Sequence, residues 1–221
     1  MKPPEVDVVI GAPSAGSGTI SERSSSSSRS EPDSLRIAVP FSPQAPFANW
    51  DALHEESCEE MALIMVRHFW TRSPLTRALA EEELQELISW EESNGFPQDV
   101  TTEELARIAR EHFGLITRVS TDLSEESIER ELRAGRPLII PAAGRDLGNP
   151  YFSGDGPWYH MLVITGFKGD RYITNDPGTK RGENFVYRKD VLLNAVHDWT
   201  GVKEEIRQGT KSMLIIEGQA S

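Results

Sequence analysis

Residues 158–176 read Trp158-Tyr159-His160-Met161-Leu162-Val163-Ile164-Thr165-Gly166-Phe167-Lys168-Gly169-Asp170-Arg171-Tyr172-Ile173-Thr174-Asn175-Asp176. The first ten of these, dense in β-branched and aromatic side chains, carry the strongest strand signal in the chain. Lys168-Gly169-Asp170 has turn chemistry, and residues 171–176 read as a second strand, so the stretch predicts an antiparallel hairpin. His160 begins one strand and Asp176 ends the other, which brings both to the same end of the sheet. By alternation His160 shares a face with Leu162 and Ile164, while Tyr172, Thr174 and Asp176 share a face of the partner strand. A one-residue slip of register would put Asn175 in the place of Asp176.

Upstream of the hairpin, Pro137-Leu138-Ile139-Ile140-Pro141 is a short apolar run between breakers and reads as a buried strand. Residues 142–157, rich in Gly, Asn, Asp and Pro, are expected to form a long surface loop, a kind of segment that is often functional. Further back, Ala62, Met65, Val66 and Phe69 recur at helical spacing after Cys58 and predict a helix to about residue 70. Residues 76–93, with Leu79, Leu84, Leu87 and Ile88, predict a second helix closed by Asn94-Gly95. Thr101-Thr102-Glu103-Glu104 opens a third, with Leu105, Ile108, Ala109 and a packing His112 on one face and Gly114 at its end. Ser124-Glu125-Glu126-Ser127 starts a fourth that runs to Gly135. Short strands are expected at residues 35–40, 115–119, 184–187 and 213–216, and a helix at residues 189–199. Helices mainly first and antiparallel strands mainly later are the pattern of an α+β domain.

Cys58 is the one cysteine of the chain, and it stands where a polar loop gives way to a helix. Unpaired backbone N–H groups and the macrodipole favour negative charge there, so a thiol at a helix start ionises more readily than a free one. Ser57 is the expected cap; Glu59 and Glu60 suit a first turn, although their charges work against a thiolate. A thiol attacks a carbonyl efficiently when an imidazole takes its proton and a carboxylate or amide holds the other ring nitrogen. Each residue also has a purely structural reading. Cys58 shares a face with Ala62, Met65 and Phe69 and reads as core, His160 as a satisfied core histidine, and Asp176 before Pro177 as a turn former. His54, His68 and His197 read as surface residues on helices or loops.

With 221 residues, 38% of them hydrophobic, the chain can bury one good-sized core. Residues 1–34, rich in Ser, Gly and Pro, lack the apolar content that offsets ordering, and are expected to be a disordered leader before a folded domain at residues 35–218. A net charge of −12, without a basic stripe, argues against nucleic acid as a partner. A single cysteine excludes an internal disulfide, and no zinc-type spacing is present, so no cofactor or metal is expected. The apolar run at residues 6–10 contains Asp7 and is too short for a secretory signal, and no membrane span is expected. A cytoplasmic protein is the default expectation, or an exported one if the true start lies upstream; the oligomeric state is left open.

Gln44, Cys58 at a helix start, an apolar strand, His160 leading Met161-Leu162-Val163-Ile164-Thr165-Gly166-Phe167, and then Asn175-Asp176-Pro177 form an ordered set. Over about residues 37–199 this order resembles the bacterial cysteine-peptidase family 39-like domains, relatives of the peptidases that remove double-glycine leaders from bacteriocin precursors. The resemblance implies a papain-like fold, its N-terminal helical part packed on a C-terminal antiparallel sheet. It also implies a thiol hydrolase acting on peptide or related amide bonds of a peptide or protein substrate. In that family pattern Cys58 is the nucleophile, His160 the general base and then acid, and Asp176 the group orienting His160. Gln44, by itself an ordinary loop residue, would donate its side-chain amide to the oxyanion beside the backbone N–H of Cys58. The chain departs from leader-processing transporters in lacking membrane spans and a nucleotide-binding P-loop. Two rival readings are an enzyme that cleaves peptidoglycan cross-links or transfers an acyl group with the same triad, and a catalytically silent module that holds peptides in the cleft.

Overall fold

The computed structural model describes residues 32–220. In chain order its regular elements are β1 (Ser34–Arg36), α1 (Ala52–Glu55), α2 (Cys58–Thr71), α3 (Arg77–Ser93), α4 (Thr102–Glu111), β2 (Leu115–Ser120) and α5 (Glu125–Arg133). They continue with β3 (Leu138–Ala143), β4 (Tyr159–Lys168), β5 (Arg171–Asn175), β6 (Phe185–Arg188), α6 (Lys189–Ala195) and β7 (Met213–Gln219). The leader expected at residues 1–34 lies almost wholly outside the described residues; Ser34, given to it, pairs with Lys168 as the first residue of β1.

The hairpin forms as its sequence predicts, β4 against β5, and around it the strands order as β2-β7-β3-β4-β5-β6, every pair antiparallel. β4 is buried at every position except Lys168, which explains why it reads as a continuous apolar run rather than an alternating one. β3 pairs with β4 from Leu138↔Ile164 to Ala143↔Tyr159, and β1 takes up the far end of β4 from Arg36↔Gly166 to Ser34↔Lys168. The β4–β5 register shifts between Ile164 and Gly166. A Cβ at Gly166 would lie 2.1 Å from the backbone oxygen of Leu35, so β1 approaches closely only because this residue is glycine. Pro141 sits inside β3 without breaking a ladder, because β7 pairs with β3 only at Leu138 and Ile139.

The helices start where capping chemistry places them. Thr76, Thr101 and Ser124 each accept a backbone N–H with their side chains, and Thr101 with Glu104 forms a complete capping box. α2 departs from the expected amphipathic form, being buried on nearly every side between the sheet and α3 and α4. Each large side chain it buries, such as Leu63 or Ile64, is worth about 1.5–3 kcal/mol. Ser57 does not cap it: its hydroxyl donates backwards to the carbonyl of Leu53, at 2.5 Å. α6 is shorter than expected, because the chain turns extended at Val196 to deliver Asp198 into the interior. There Asp198 accepts hydrogen bonds from the backbone of Thr102 and Trp199 and from the Ser212 hydroxyl.

Two expectations about the surface are corrected. Residues 142–157 are not a simple surface loop: Ala142 and Ala143 complete β3, and Gly144–Leu147 coil into a 3-10 turn. Gly144, Leu147 and Asn149 are buried. His54 and His68 are buried rather than exposed, because carboxylates from α3 reach them. His54 lies 2.7 Å from Asp51 and 3.2 Å from Glu81, and His68 lies 3.0 Å from Glu83, so the two imidazoles tie α1 and α2 to α3. Gly166→Ala is expected to cost about 1–3 kcal/mol by forcing β1 away from β4. Urea denaturation followed by tryptophan fluorescence would measure that loss.

Candidate active site

Cys58 is the first residue of α2 and lines a cleft of about 290 Å³ together with Gln44, His160 and Gly178. Its sulfur accepts a hydrogen bond from the backbone N–H of Met161, at 3.2 Å, which fastens the helix start to β4 one residue beyond His160. His160 is 1% exposed, and its Nε2 lies 2.8 Å from Oδ1 of Asp176, leaving Nδ1 as the ring nitrogen available to the cleft. The hairpin thus joins His160 and Asp176 at one end of the sheet, in the register that selects Asp176 over Asn175. Asn175 instead donates to the carbonyl of Val39, outside the pair.

A carboxylate with no exposed surface needs partners for all its lone pairs. Asp176 has them: Tyr187 donates its hydroxyl to Oδ2 at 2.6 Å, Asn149 donates to Oδ2 at 3.0 Å, and the Gly178 backbone donates to Oδ1 at 3.0 Å. Asn149 also donates to Tyr187, closing the network. Burial alone would push the Asp176 carboxyl upward, but the adjacent His160 and the Tyr187 and Gly178 donors outweigh it and hold the group below its ordinary range. The Phe152 ring stands edge-on to His160, centroids 5.3 Å apart, and fixes its plane. Gly178 is required beside them, since a Cβ there would lie 2.8 Å from His160 Cε1. Sequence reasoning missed Asn149, Phe152 and Tyr187. The available signal was the demand itself: an aspartate buried at a strand end must find donors elsewhere.

The thiol departs from expectation. Cys58 donates its S–H to Oε2 of Glu59 at 2.9 Å, and its two hydrogen bonds, to Glu59 and from Met161, do not include the imidazole. Burial, reinforced by the neighbouring Glu59 carboxyl, pushes the thiol well above its ordinary range, so the helix N-terminus does not win here. Glu59 is itself pushed up by burial and by Glu60, and Oε1 of Glu59 has no partner. Burial likewise raises Glu60 and Glu91, and the charge of Glu60 pushes Glu91 further up. Gln44 is buried on the cleft wall, with its amide Nε2 donating to the carbonyls of His54 and Glu55 at 2.8 and 2.9 Å. Both amide hydrogens are therefore engaged with backbone in this state. No group of three or more His, Cys, Asp or Glu side chains among the described residues is arranged to hold a metal ion.

A mixed domain in which a helix carries a cysteine into a cleft, against a histidine and an aspartate from an antiparallel sheet, has the α+β papain-like fold. Residues 36–205 match the Peptidase_C39 like family, and the chain belongs to that family. Among solved structures it is similar to a candidate C39-like peptidase from Bacillus anthracis, with 13% identity and a TM-score of 0.54, covering 84% of this chain and 98% of that one. No curated protein sequence matches the chain. No helix among the described residues is long and apolar enough to cross a membrane.

Two outcomes follow from the buried acids. Glu59→Gln removes the carboxylate facing the sulfur, so the pH at which iodoacetamide alkylates Cys58 half-maximally is expected to move downward from the wild-type value. Glu60 and Glu91 have folded-state values raised above the unfolded ones, so their contribution to stability is complete below the unfolded value. That contribution is lost as pH rises, through about 7 for Glu60. Urea midpoints measured between pH 5 and 8 are expected to fall for the wild type and to fall less for Glu60→Gln.

Proposed function

We propose that the chain is a cysteine peptidase that cleaves peptide or related amide bonds with Cys58 as nucleophile, His160 as proton acceptor and donor, and Asp176 holding His160. The observation that carries this reading is the buried 2.8 Å contact between His160 Nε2 and Asp176, on the wall of the cleft that Cys58 also lines. A histidine so fixed keeps one tautomer and turns Nδ1 towards incoming chemistry. Membership of the family and the shared fold support the same reading.

In the reaction, the Cys58 proton passes to His160 Nδ1 and the thiolate attacks the scissile carbonyl carbon. The oxyanion of the tetrahedral intermediate takes hydrogen bonds from the Cys58 backbone N–H and from the Gln44 amide, which must release a backbone carbonyl to do so. The C–N bond breaks as His160 protonates the leaving amine, leaving a thioester on Cys58. Water then attacks the thioester, giving its proton to His160, and release of the acid returns the thiol. Substrate entry has to draw the S–H away from Glu59 before the first transfer. That Glu59 contact favours one second reading, a silent peptide-binding module in which the thiol stays protonated.

Cleavage profiling against a peptide library separates the two readings. Cys58→Ala and His160→Ala are expected to abolish turnover. Asp176→Ala is expected to lower kcat on the order of a hundredfold. Gln44→Ala should lower it by a similar factor without abolishing it. Equal product from wild type and Cys58→Ala would sink the peptidase reading.

A further inference from the structure

The cleft is uneven in charge. Besides Cys58 and His160 it is lined by three carboxylates, Glu55, Glu56 and Asp99, and by one ammonium, Lys203, whose Nζ lies 3.9 Å from Glu56. Among the described residues, the carboxylates of Glu55 and Asp99 have no hydrogen-bonded or ion-paired partner. Asp99 is half-buried, with burial and the charge of Glu56 both disfavouring its ionised form and only Lys203 acting the other way. Carboxylates crowded in this manner gain most from a cation that arrives with the ligand.

A second, independent observation points the same way. Gln44 is 3% exposed and lines the cleft, and its Oε1 is a buried acceptor with no donor. An orphaned acceptor in such a place costs free energy until a ligand N–H reaches it. Nearby, Trp50 lines the same cleft with 40% of its surface exposed, a large aromatic face without protein cover. Indole faces attract ammonium and guanidinium groups, and they pack against aliphatic stems. An acceptor seeking a donor, an open aromatic face and unneutralised carboxylates are complementary to one side-chain chemistry, a long stem ending in a cation. The chain's net charge of −12 adds a long-range pull on such ligands.

We propose that this cleft selects peptides bearing a cationic side chain, of lysine or arginine type, beside the scissile bond, held by Glu55, Glu56 and Asp99 with Trp50 as its apolar wall. The inference deepens the peptidase reading and rests on it for the word scissile, but the binding preference stands on the cleft alone. A neutral or acidic side chain of equal length leaves the carboxylates unneutralised and is discriminated against.

The test uses Cys58→Ala, which binds without turnover, and fluorescently labelled peptides of one sequence carrying lysine, norleucine or glutamate at each position in turn. Fluorescence anisotropy at low salt is expected to show the best lysine peptide binding about tenfold more tightly than its norleucine counterpart. The advantage should shrink at high salt and should largely vanish when Glu55→Gln and Asp99→Asn are added. Wild-type kcat/KM is expected to follow the same order. Equal binding of lysine and norleucine peptides, or an advantage unchanged by those two substitutions, would overturn the proposal. Cys58-dependent turnover without a cationic preference would overturn it while leaving the peptidase reading standing. A cationic preference in binding, with no Cys58-dependent turnover in the wild type, would do the reverse.

Discussion

A single buried carboxylate sets the terms for one end of this molecule. Asp176 has no exposed surface, and an ionised group so placed is tolerated only if the protein replaces the water it has lost. Its donors come from four separate places: His160 in β4, Asn149 after the 3-10 turn, Tyr187 in β6 and the Gly178 backbone. Satisfying it therefore fixes the ends of β4 and β6 and the fold-back of residues 144–157 together. Removing any donor leaves charge without compensation in a low-dielectric interior, a loss larger than that of an ordinary surface hydrogen bond. The same network gives the imidazole one orientation, so the contacts that hold this end of the fold together also set the ring.

The start of α2 presents the opposite balance. Glu59, Glu60 and Glu91 are buried with acceptor oxygens that have no partner, and the first two follow the candidate nucleophile directly in α2. A helix N-terminus favours negative charge by a fraction of a kcal/mol up to ~2 kcal/mol in partly buried geometry. Desolvation of a fully buried thiol and of its neighbouring carboxyl is larger, so the resting thiol keeps its proton and gives it to Glu59 in a hydrogen bond. The cleft combines a histidine held in one orientation by Asp176 with a sulfur held in a different hydrogen bond. Entry of a substrate that displaces solvent and changes the local field is the natural event to couple them. A cationic side chain near Glu55, Glu56 and Asp99 would also offset the negative field that disfavours a thiolate.

Local information carried far in this chain because its signals were redundant. The β4–β5 hairpin was legible from β-branched density and a turn, the starts of α3, α4 and α5 from Thr and Ser caps, and the helices-then-strands order from periodicity. The meeting of His160 and Asp176 was legible too, because a hairpin ties two positions sixteen residues apart by a short-range rule. Less was legible where charge met burial. His54 and His68 were read as surface residues because a polar side chain in a helix defaults to solvent, yet carboxylates from α3 accompany both inward.

The sequence alone determined where most of the helices and strands fall, the antiparallel sense of the hairpin, and the three polar side chains that stand at element ends, since each depends on neighbours within a few residues. Tertiary structure decided the rest. It placed β7, the last strand, inside the sheet between β2 and β3, and it recruited Asn149 and Tyr187 to Asp176. It also turned the Cys58 proton towards Glu59. Those outcomes depend on which distant surfaces are buried together, and desolvation, unlike helical or strand periodicity, has no signature in local spacing.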